Sequence, residues 1–305
     1  MMPVITVSNL RKAYGSLQAV ENISFHADRG EIYALVGPDG SGKTTTMRII
    51  CNLVRPDNGS VFINDIDVRS EFERVKPILG YMPQIFSLYP DLSVEENLFF
   101  YAGIYGRTGR SYREKRDRLY EFSDLGSFSS RRAGALSGGM KQKLALSCAL
   151  IHDPRLLLLD EPTTGVDPLS RRQFWEMLLT LKKEGTAIVV TTPYMDEVAR
   201  VDRACFILEG RKLAEGTPSQ LTDLFEGKVY FLDMNPTREL VDSLNGIDRV
   251  TARRFGSGLH LYTGPEMDID QLTGVLNRIN IGADKITPVA PDLEDCFIQV
   301  MENIR

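Results

Sequence analysis

A glycine-rich run near the N-terminus carries the clearest chemistry in the sequence. It matches the pattern G-x-x-x-x-G-K-[ST] in full and reads Gly37-Pro38-Asp39-Gly40-Ser41-Gly42-Lys43-Thr44. Glycines let the backbone wrap closely around a phosphate chain, so that successive N–H groups point at its oxygens. Lys43 can reach the β- and γ-phosphates of a nucleotide, and the Thr44 hydroxyl can bind Mg²⁺. We therefore predict that these residues and the adjacent Thr45 form a nucleotide-phosphate site.

Two acids after a run of leucines form a second candidate group. Leu156 to Leu159 predicts a short buried strand, and Asp160 and Glu161 follow it directly. Successive strand residues point to opposite sides, so the two acids cannot have the same role. Asp160 suits the Mg²⁺ shell, through a bound water. Glu161 suits the attacking water, as its base or as the group that positions it. Together with Lys43, these acids predict nucleotide hydrolysis.

Both groups need a framework that brings strand ends together. Buried strand patterns alternate with helix patterns over the first part of the chain, at residues 31–36, 156–159, 187–190 and 204–208. The glycine-rich run lies between one such strand and a helix pattern from Lys43 to Leu53, whose positive N-terminal end favours phosphate. The alternation predicts an α/β fold with a mainly parallel sheet covered by helices.

Two further regions are set apart by their patterns. Ser93 and Ser111 each precede a glutamate at the capping-box spacing, which predicts two capped helices within a helical insertion at about residues 85–150. Residues 228–305 follow the order β-α-β-β-α-β plus a final helix, which is the split-βαβ or ferredoxin-like arrangement. We therefore predict a nucleotide-binding domain at residues 1–227 and a small α+β accessory domain at residues 228–305.

Composition disfavours several function classes. The 305 residues carry a formal net charge of −5, whereas a general nucleic-acid binder is usually basic, so we predict no nucleic-acid partner. No apolar run approaches the roughly 18 residues of a membrane-spanning helix, and Met1 to Leu10 lacks the pattern of a secretory signal. The widely spaced cysteines predict reduced thiols of a cytosolic protein rather than zinc ligands or disulfides; they are Cys51, Cys148, Cys205 and Cys296.

The segment Leu136-Ser137-Gly138-Gly139-Met140 distinguishes among the many proteins that share the phosphate pattern. It predicts a helix start capped by Ser137, which is a ready anion site. Followed by the acids, it resembles the signature motif of the ABC ATPase family, where glutamine usually stands in place of Met140. The resemblance covers about residues 4–213 and implies a P-loop ATPase cassette that binds ATP and Mg²⁺.

The same resemblance implies roles for residues that would mean little alone. Tyr14 resembles the aromatic residue that stacks on adenine. Gln84 resembles the glutamine that contacts Mg²⁺ and the water and links to the membrane subunit. In the family, two cassettes meet head to tail, so Ser137 and Gly139 would contact the γ-phosphate of the opposite site, with Gly138 in the same binding segment. Residues 165–168 resemble the loop through which cassettes contact each other.

The C-terminal residues sharpen the implied class. Residues 291–297, Pro-Asp-Leu-Glu-Asp-Cys-Phe, resemble the ending of exporter ATPases of the drug-resistance and lipid or polysaccharide type. The chain looks most like the first cassette of a two-cassette bacterial exporter ATPase. This implies export of drugs or hydrophobic compounds through a separate transmembrane permease, which would contact residues 84–106. It also implies a second cassette, identical or different, and a location in the cytoplasm on the inner face of the cell membrane.

Two further positions depart from the family pattern. Pro193 stands where the family usually has a histidine that binds the γ-phosphate, and Asp39 stands where many relatives carry asparagine. The histidines of the chain are distant in sequence, and we interpret them as structural or surface residues; they are His26, His152 and His260. Our hypothesis is that this cassette binds ATP well but hydrolyses it slowly by itself.

Two alternatives to an exporter ATPase remain open. One is a regulatory cassette that binds ATP with weak hydrolysis, for which Pro193 would be the mark. The other is a soluble ABC ATPase that acts on DNA or ribosomes. The net negative charge and the lack of a long coiled-coil insertion or paired cassettes disfavour the second alternative.

Overall fold

The structure is a computed structural model of the chain, and it describes residues 3–85 and 87–302. The chain divides into two compact units, of which the first ends at Pro218 and the second begins at Ser219. Each unit has its own hydrophobic core. The sequence places the boundary later, after residue 227, because no strand pattern begins between Pro218 and Lys228. No helix within the described ranges is long and apolar enough to cross a bilayer.

The described part of the first unit is built on a 10-stranded sheet. Its strands are β1 (Ile5–Tyr14), β2 (Leu17–Ala27), β3 (Ile32–Val36), β4 (Asn58–Ile63), β5 (Ile66–Asp67), β6 (Leu79–Met82), β7 (Leu156–Asp160), β8 (Ala187–Thr192), β9 (Arg203–Leu208) and β10 (Arg211–Gly216). They lie in the order β5-β4-β1-β2-β10-β9-β3-β8-β7-β6. Strands β9, β3, β8, β7 and β6 are parallel to their neighbours in this run.

The parallel strands position the site. Strands β3, β7 and β8 are buried along their whole length, as expected for strands covered on both faces. Their carboxyl ends meet at one edge, because Val36 pairs with Thr192 and Asp160 pairs with Thr191. Ligands of such sheets bind at this edge. The predicted α/β fold is confirmed, and its sheet is mixed, because the other strands add an antiparallel part.

Helices connect these strands. They are α1 (Lys43–Ile50), α2 (Phe72–Val75), α3 (Val94–Ile104), α4 (Gly109–Ser123), α5 (Gly138–Ala149), α6 (Pro168–Lys183) and α7 (Met195–Val198). A short helix, α8 (Pro218–Thr222), follows β10 at the boundary between the two units. The capping box at Ser93 is present, with both of its hydrogen bonds. The predicted cap at Ser111 is wrong. Helix α4 starts earlier, with Thr108 at the N-cap position, so Ser111 lies inside its first turn and Tyr112 is buried.

The second unit alternates strands and helices in a different way. Its elements are β11 (Lys228–Leu232), α9 (Arg238–Asn245), β12 (Val250–Phe255), β13 (Gly258–Thr263), α10 (Ile269–Asn277), β14 (Ile286–Val289) and α11 (Leu293–Glu302). The sheet order is β12-β13-β11-β14, and all three pairs of neighbours are antiparallel. Leucines of α9 and α10 pack with one face of this sheet. The predicted β-α-β-β-α-β order with a final helix is therefore the observed order.

Candidate functional site

The glycine-rich run forms the turn between β3 and α1, and two of its glycines are required by close contacts. Gly42 has φ 103°, a left-handed conformation that favours glycine. A Cβ atom there would lie 2.2 Å from the carbonyl oxygen of Ala19. A Cβ at Gly37 would lie 2.1 Å from the carbonyl oxygen of Ile207. The backbone can therefore follow this path only with glycine at both positions.

A cavity of about 430 Å³ opens beside this turn. Its lining residues are Tyr14, Leu17, Ala19, Asp39, Gly40, Ser41, Gly42, Lys43, Thr44, Thr45, Gln84 and Glu161. Most of the site residues predicted from the sequence are in this set, from chain segments far apart in sequence. Tyr14 lies in the lining with its side chain about half exposed, so its ring is open to a ligand. Asp39 is also exposed there.

Lys43 is the buried positive charge of the cavity. Its side chain is 3% exposed, and Nζ donates to the carbonyl oxygens of Gly37 at 2.7 Å and Pro38 at 2.9 Å. The same Nζ lies 3.2 Å from Glu161 Oε1. Gln84 Nε2 donates to Glu161 Oε2 at 2.9 Å. The ammonium, the carboxylate and the amide therefore form one connected group on the cavity wall.

Asp160 is buried at the end of β7, and its two oxygens differ. Oδ1 accepts hydrogen bonds from the hydroxyls of Thr191 at 2.8 Å and Thr44 at 3.1 Å. Oδ2 is buried and has no hydrogen-bond partner. Burial is the main cause that raises the pKa of Asp160, because the charged form loses water. A buried carboxylate oxygen without a partner, beside a threonine hydroxyl and a phosphate turn, fits the oxygen ligands that Mg²⁺ prefers.

Glu161 has a strained backbone. Its φ of 49° lies in the left-handed region, which is uncommon for residues other than glycine and clusters at functional sites. Its N–H donates to Thr191 Oγ1 at 2.9 Å. The turn directs the Glu161 side chain to the cavity, whereas Asp160 stays behind it beside Thr44. The two adjacent acids therefore have different surroundings, as the strand alternation predicts.

Comparisons with known proteins agree with this arrangement. A family model described as ABC transporter matches residues 20–164. The chain is 42% identical over 218 residues to the probable multidrug ABC transporter ATP-binding protein YbhF of Escherichia coli; the match covers 72% of this chain but only 38% of that protein. It is 38% identical over 302 residues to the Nod factor export ATP-binding protein I of Bradyrhizobium diazoefficiens, which covers 97% of this chain and 95% of that protein.

The chain belongs to the ABC transporter ATP-binding family. Members of this family are ATPases coupled to transport. A solved ATP-binding subunit of an ABC transporter superposes on 72% of this chain and 92% of its own, with a TM-score of 0.66 and 31% identity. A dimeric ATP-binding cassette in a post-hydrolysis state, bound to ADP and Pi, covers 70% of this chain and 98% of its own, with a TM-score of 0.63 and 26% identity. We call the first unit the cassette.

The signature segment lies outside the cavity lining in the cassette. Ser137 is the N-cap of α5, and its hydroxyl accepts from the Met140 N–H at 3.3 Å. A Cβ at Gly139 would lie 2.4 Å from the Ser170 hydroxyl, so glycine allows α5 to approach the start of α6. Neither Ser137 nor the two glycines that follow it contact the predicted nucleotide site of the same chain.

The loop after β8 is held from behind by a buried carboxylate. Glu197 accepts from the hydroxyls of Thr192 at 2.5 Å and Thr163 at 2.6 Å. The Tyr194 N–H donates to Thr192 Oγ1 at 3.0 Å. This network orders the backbone around Pro193 but presents no side-chain donor to the cavity. Pro193 itself has neither a side-chain donor nor an N–H.

The three histidines lie in other surroundings, and none is among the described residues that line the cavity beside the glycine-rich turn. His152 stacks on Tyr105 with 3.8 Å between the ring centroids, and burial lowers its pKa to about 4. His26 lies on β2 beside Arg203. His260 lies in the second unit. The cassette therefore supplies no nearby histidine in place of the missing one.

Sequence reasoning missed three residues of the site. Leu17 and Ala19 line the cavity from β2. The clue to these residues was their position close after the predicted Tyr14, since Leu17 pairs with Tyr14 across the hairpin. Thr191 contacts both acids and is one of the two threonines at the end of an otherwise apolar strand. Its signal was a polar residue at the end of a buried strand beside the strand of Asp160.

Proposed function

We propose that the chain is the ATP-binding and ATP-hydrolysing subunit of an ABC-type exporter, which couples cassette closure and hydrolysis to export through a separate membrane permease. The observation that carries this proposal is the connected group of Lys43, Glu161 and Gln84 on the cavity wall, with the free Oδ2 of Asp160 behind it. A positive charge for phosphates, a carboxylate for water and an oxygen for a metal ion are the parts that nucleotide hydrolysis requires.

Each residue has a role that follows from its contacts. The backbone N–H groups of residues 37–45 and the ammonium of Lys43 bind the β- and γ-phosphates of ATP. Thr44 and Asp160 would hold Mg²⁺, with Gln84 at its edge, and the bound ion offsets phosphate charge. Glu161 accepts a proton from the attacking water as the bond from the γ-phosphorus to the bridging oxygen breaks. Tyr14 stacks on the adenine.

A second cassette completes the site. Within one chain the signature segment is not in the cavity lining, so its Ser137 hydroxyl and its glycines are available to the nucleotide of a partner. The likeness to a solved dimeric cassette supports this arrangement. We therefore propose that Ser137, Gly138 and Gly139 bind the nucleotide held by the phosphate turn of a second cassette, identical or different.

Residues 84–106 supply the surface for the permease. On α3, Val94, Leu98 and Ala102 are buried while Phe99 and Ile104 are more than half exposed. Apolar side chains left open next to Gln84 suit a surface that a partner covers. Phe86 belongs to this segment and lies outside the described residues. The permease would convey closure of the cassettes, sensed through Gln84, to the transport path.

The names of relatives support export of drugs or other hydrophobic compounds, since they include multidrug and Nod factor export proteins. We place the chain at the inner face of the cell membrane, with no nucleic-acid partner. We assign the second unit as a ferredoxin-like, split-βαβ accessory domain, which its element order and its strand order support. Fractionation with membranes tests this placement, and recovery only in a free or ribosome-bound pool would favour a non-transport ATPase.

Steady-state ATP hydrolysis by wild type, Pro193→His and Lys43→Ala tests the function. We expect wild type to exceed the Lys43→Ala blank and Pro193→His to raise turnover severalfold, because an imidazole would restore a donor to the phosphate. If wild type binds ATP but matches the blank, the regulatory cassette that Pro193 favours replaces the exporter ATPase. If the histidine adds nothing in any assembly, Glu161 suffices and the proposed weakness of the site is refuted.

A further inference from the structure

The hydroxyl of Thr191 contacts both acids of the site at once. Thr191 is the penultimate residue of β8, and it is fully buried. The hydroxyl donates to Asp160 Oδ1 at 2.8 Å and accepts from the Glu161 N–H at 2.9 Å. A single oxygen therefore fixes the carboxylate of one acid and the backbone of the other.

The first contact decides which oxygen of Asp160 faces the metal position. Oδ1 receives two hydroxyls, from Thr191 and Thr44, and Oδ2 remains free. The Thr44 hydroxyl, however, is itself a candidate Mg²⁺ ligand and would donate elsewhere once it binds the ion. Thr191 has no such second task. It is then the remaining side-chain donor to Oδ1 among the described residues, and it keeps Oδ2 directed at the ion.

The second contact holds the strained turn at Glu161. A glutamate with φ 49° keeps that conformation only when its surroundings impose it. The N–H of Glu161 is buried, and Thr191 is its partner. Without this bond the turn can relax, and the Glu161 carboxylate would leave its contacts with Gln84 and Lys43.

Packing alone does not require threonine at this position. The preceding residues of β8 are Ala187, Ile188, Val189 and Val190, all fully buried, and buried parallel strands favour β-branched apolar residues. Valine has nearly the shape of threonine and would fill the same space. The hydroxyl is therefore explained by its two bonds to the acids and not by the core.

We propose that Thr191 is a positioning residue for the hydrolytic site, which sets the metal-facing oxygen of Asp160 and the orientation of Glu161 through one hydroxyl. The proposal rests on the ATPase function proposed above. It adds a residue from the strand next to the acids, two positions before Pro193, which replaces the usual histidine. In this cassette that hydroxyl stabilises the acids, whereas Pro193 supplies no side-chain donor.

Thr191→Val and Thr191→Ser test the hydroxyl at nearly constant shape. ATP turnover is measured against Mg²⁺ at saturating ATP, and against ATP at saturating Mg²⁺. For Thr191→Val we expect about a 10-fold lower kcat and about a 10-fold higher Mg²⁺ concentration at half-maximal turnover, as for other groups that orient metal ligands. KM for ATP at saturating Mg²⁺ should change little, because the phosphate turn is intact. Thr191→Ser keeps the hydroxyl and should stay near wild type.

Two results would overturn the proposal. One is wild-type kcat and Mg²⁺ dependence in folded Thr191→Val. The other is equal impairment of Thr191→Ser and Thr191→Val, which would assign the effect to packing of the methyl group. If Thr191→Val does not fold, Thr191→Ala takes its place against Thr191→Ser. If wild type itself fails to hydrolyse ATP, the proposed function fails, and the Mg²⁺ dependence of ADP binding to the same variants still decides the role of Thr191.

Discussion

Asp160 of the cassette and Asp295 of the second unit are both buried carboxylates, and they differ in how their oxygens are satisfied. In the cassette, Asp160 Oδ2 is buried without a hydrogen-bond partner. In the second unit, every oxygen of Asp295 is used. Asp295 Oδ1 lies 2.8 Å from His260 Nδ1 and accepts from the Tyr262 hydroxyl at 2.7 Å. Its Oδ2 accepts from the Asp292 N–H at 2.9 Å.

We interpret this difference as one between a candidate ligand site and a structural network. A buried polar atom without a partner costs free energy, so it persists where a ligand or an ion completes it. A carboxylate whose oxygens are all bonded instead fixes the chain around it. Asp295 joins β13 to the first turn of α11, and its backbone N–H donates back to Asp292 Oδ1 at 2.8 Å. Residues 291–297 thus have a structural explanation that does not involve catalysis.

The largest effect is expected where the cassette does chemistry. Glu161→Gln keeps the shape of the side chain but removes the proposed base, so kcat should fall by about 100-fold or more. ATP binding should persist, because Lys43 and the phosphate turn are retained. Turnover and nucleotide affinity measured on the same preparation check both parts. If Glu161→Gln turned over ATP at the wild-type rate, another group would be the base. The contrast between a catalytic cassette and a structural second unit would then lose its support from Glu161.

Asp295→Ala should act on stability instead. It leaves the Tyr262 hydroxyl, His260 and the Asp292 N–H without their buried acceptor, which should weaken the second unit by about 2 kcal/mol. Hydrogen exchange in peptides from β13 and α11 should accelerate by roughly 30-fold, which is the same free energy expressed as a ratio.

Asp242→Ala is the matched control in the same unit, because the Asp242 side chain is 71% exposed. It should leave exchange in β13 and α11 unchanged. ATP turnover of folded Asp295→Ala should stay close to that of wild type. If Asp295→Ala instead lowered turnover as strongly as Glu161→Gln, the second unit would be coupled to catalysis and the contrast between the two carboxylates would fail.

Most residues that line the cavity beside the glycine-rich turn were predicted from the sequence, because they lie in local patterns. The phosphate turn needs glycine at Gly37 and Gly42 to avoid backbone contacts, and such requirements are visible in one segment. The strand that ends in Asp160 and Glu161 is equally local. The parallel sheet followed from buried apolar runs that alternate with helix patterns.

Contacts between distant segments could not be predicted in the same way. Thr191 approaches the acids only because β8 pairs with β7 in one particular register. The network of Asp295, His260 and Tyr262 depends on how α11 packs on the sheet of its unit, which no periodicity specifies. The predicted cap at Ser111 was wrong for a related reason. The helix begins earlier than the local pattern indicates, and Tyr112, inside it, is buried by contacts that the local sequence does not specify.

The smallest predicted effect concerns the stability that the cassette loses by burying Asp160 Oδ2 without a partner. Burial raises the pKa of Asp160 above its ordinary value, so its charge destabilises the empty cassette at neutral pH. Asp160→Asn removes this charge and keeps an oxygen to accept from Thr44 and Thr191. Without metal and nucleotide, the variant should melt a few degrees above wild type at neutral pH. The difference in melting temperature should narrow as the pH falls through the raised pKa, because the wild-type carboxyl group then becomes neutral too.

Asp167→Asn should change the melting temperature in the opposite direction and melt below wild type at neutral pH. The Asp167 carboxylate accepts from the Ser170 N–H at the start of α6, and this backbone bond holds its pKa below the ordinary value. Its charge therefore stabilises the cassette above that ordinary value, and the benefit is lost as the pH falls through the lowered pKa. Melting curves of both variants from neutral to acidic pH check the direction of each change.

With Mg²⁺ and ADP added, the melting temperature of wild type should rise above that of Asp160→Asn, because only a carboxylate at this position binds the ion well. If Asp160→Asn melted below wild type in the empty state, Oδ2 would already be stabilised by the protein, and the contrast with Asp295 would disappear.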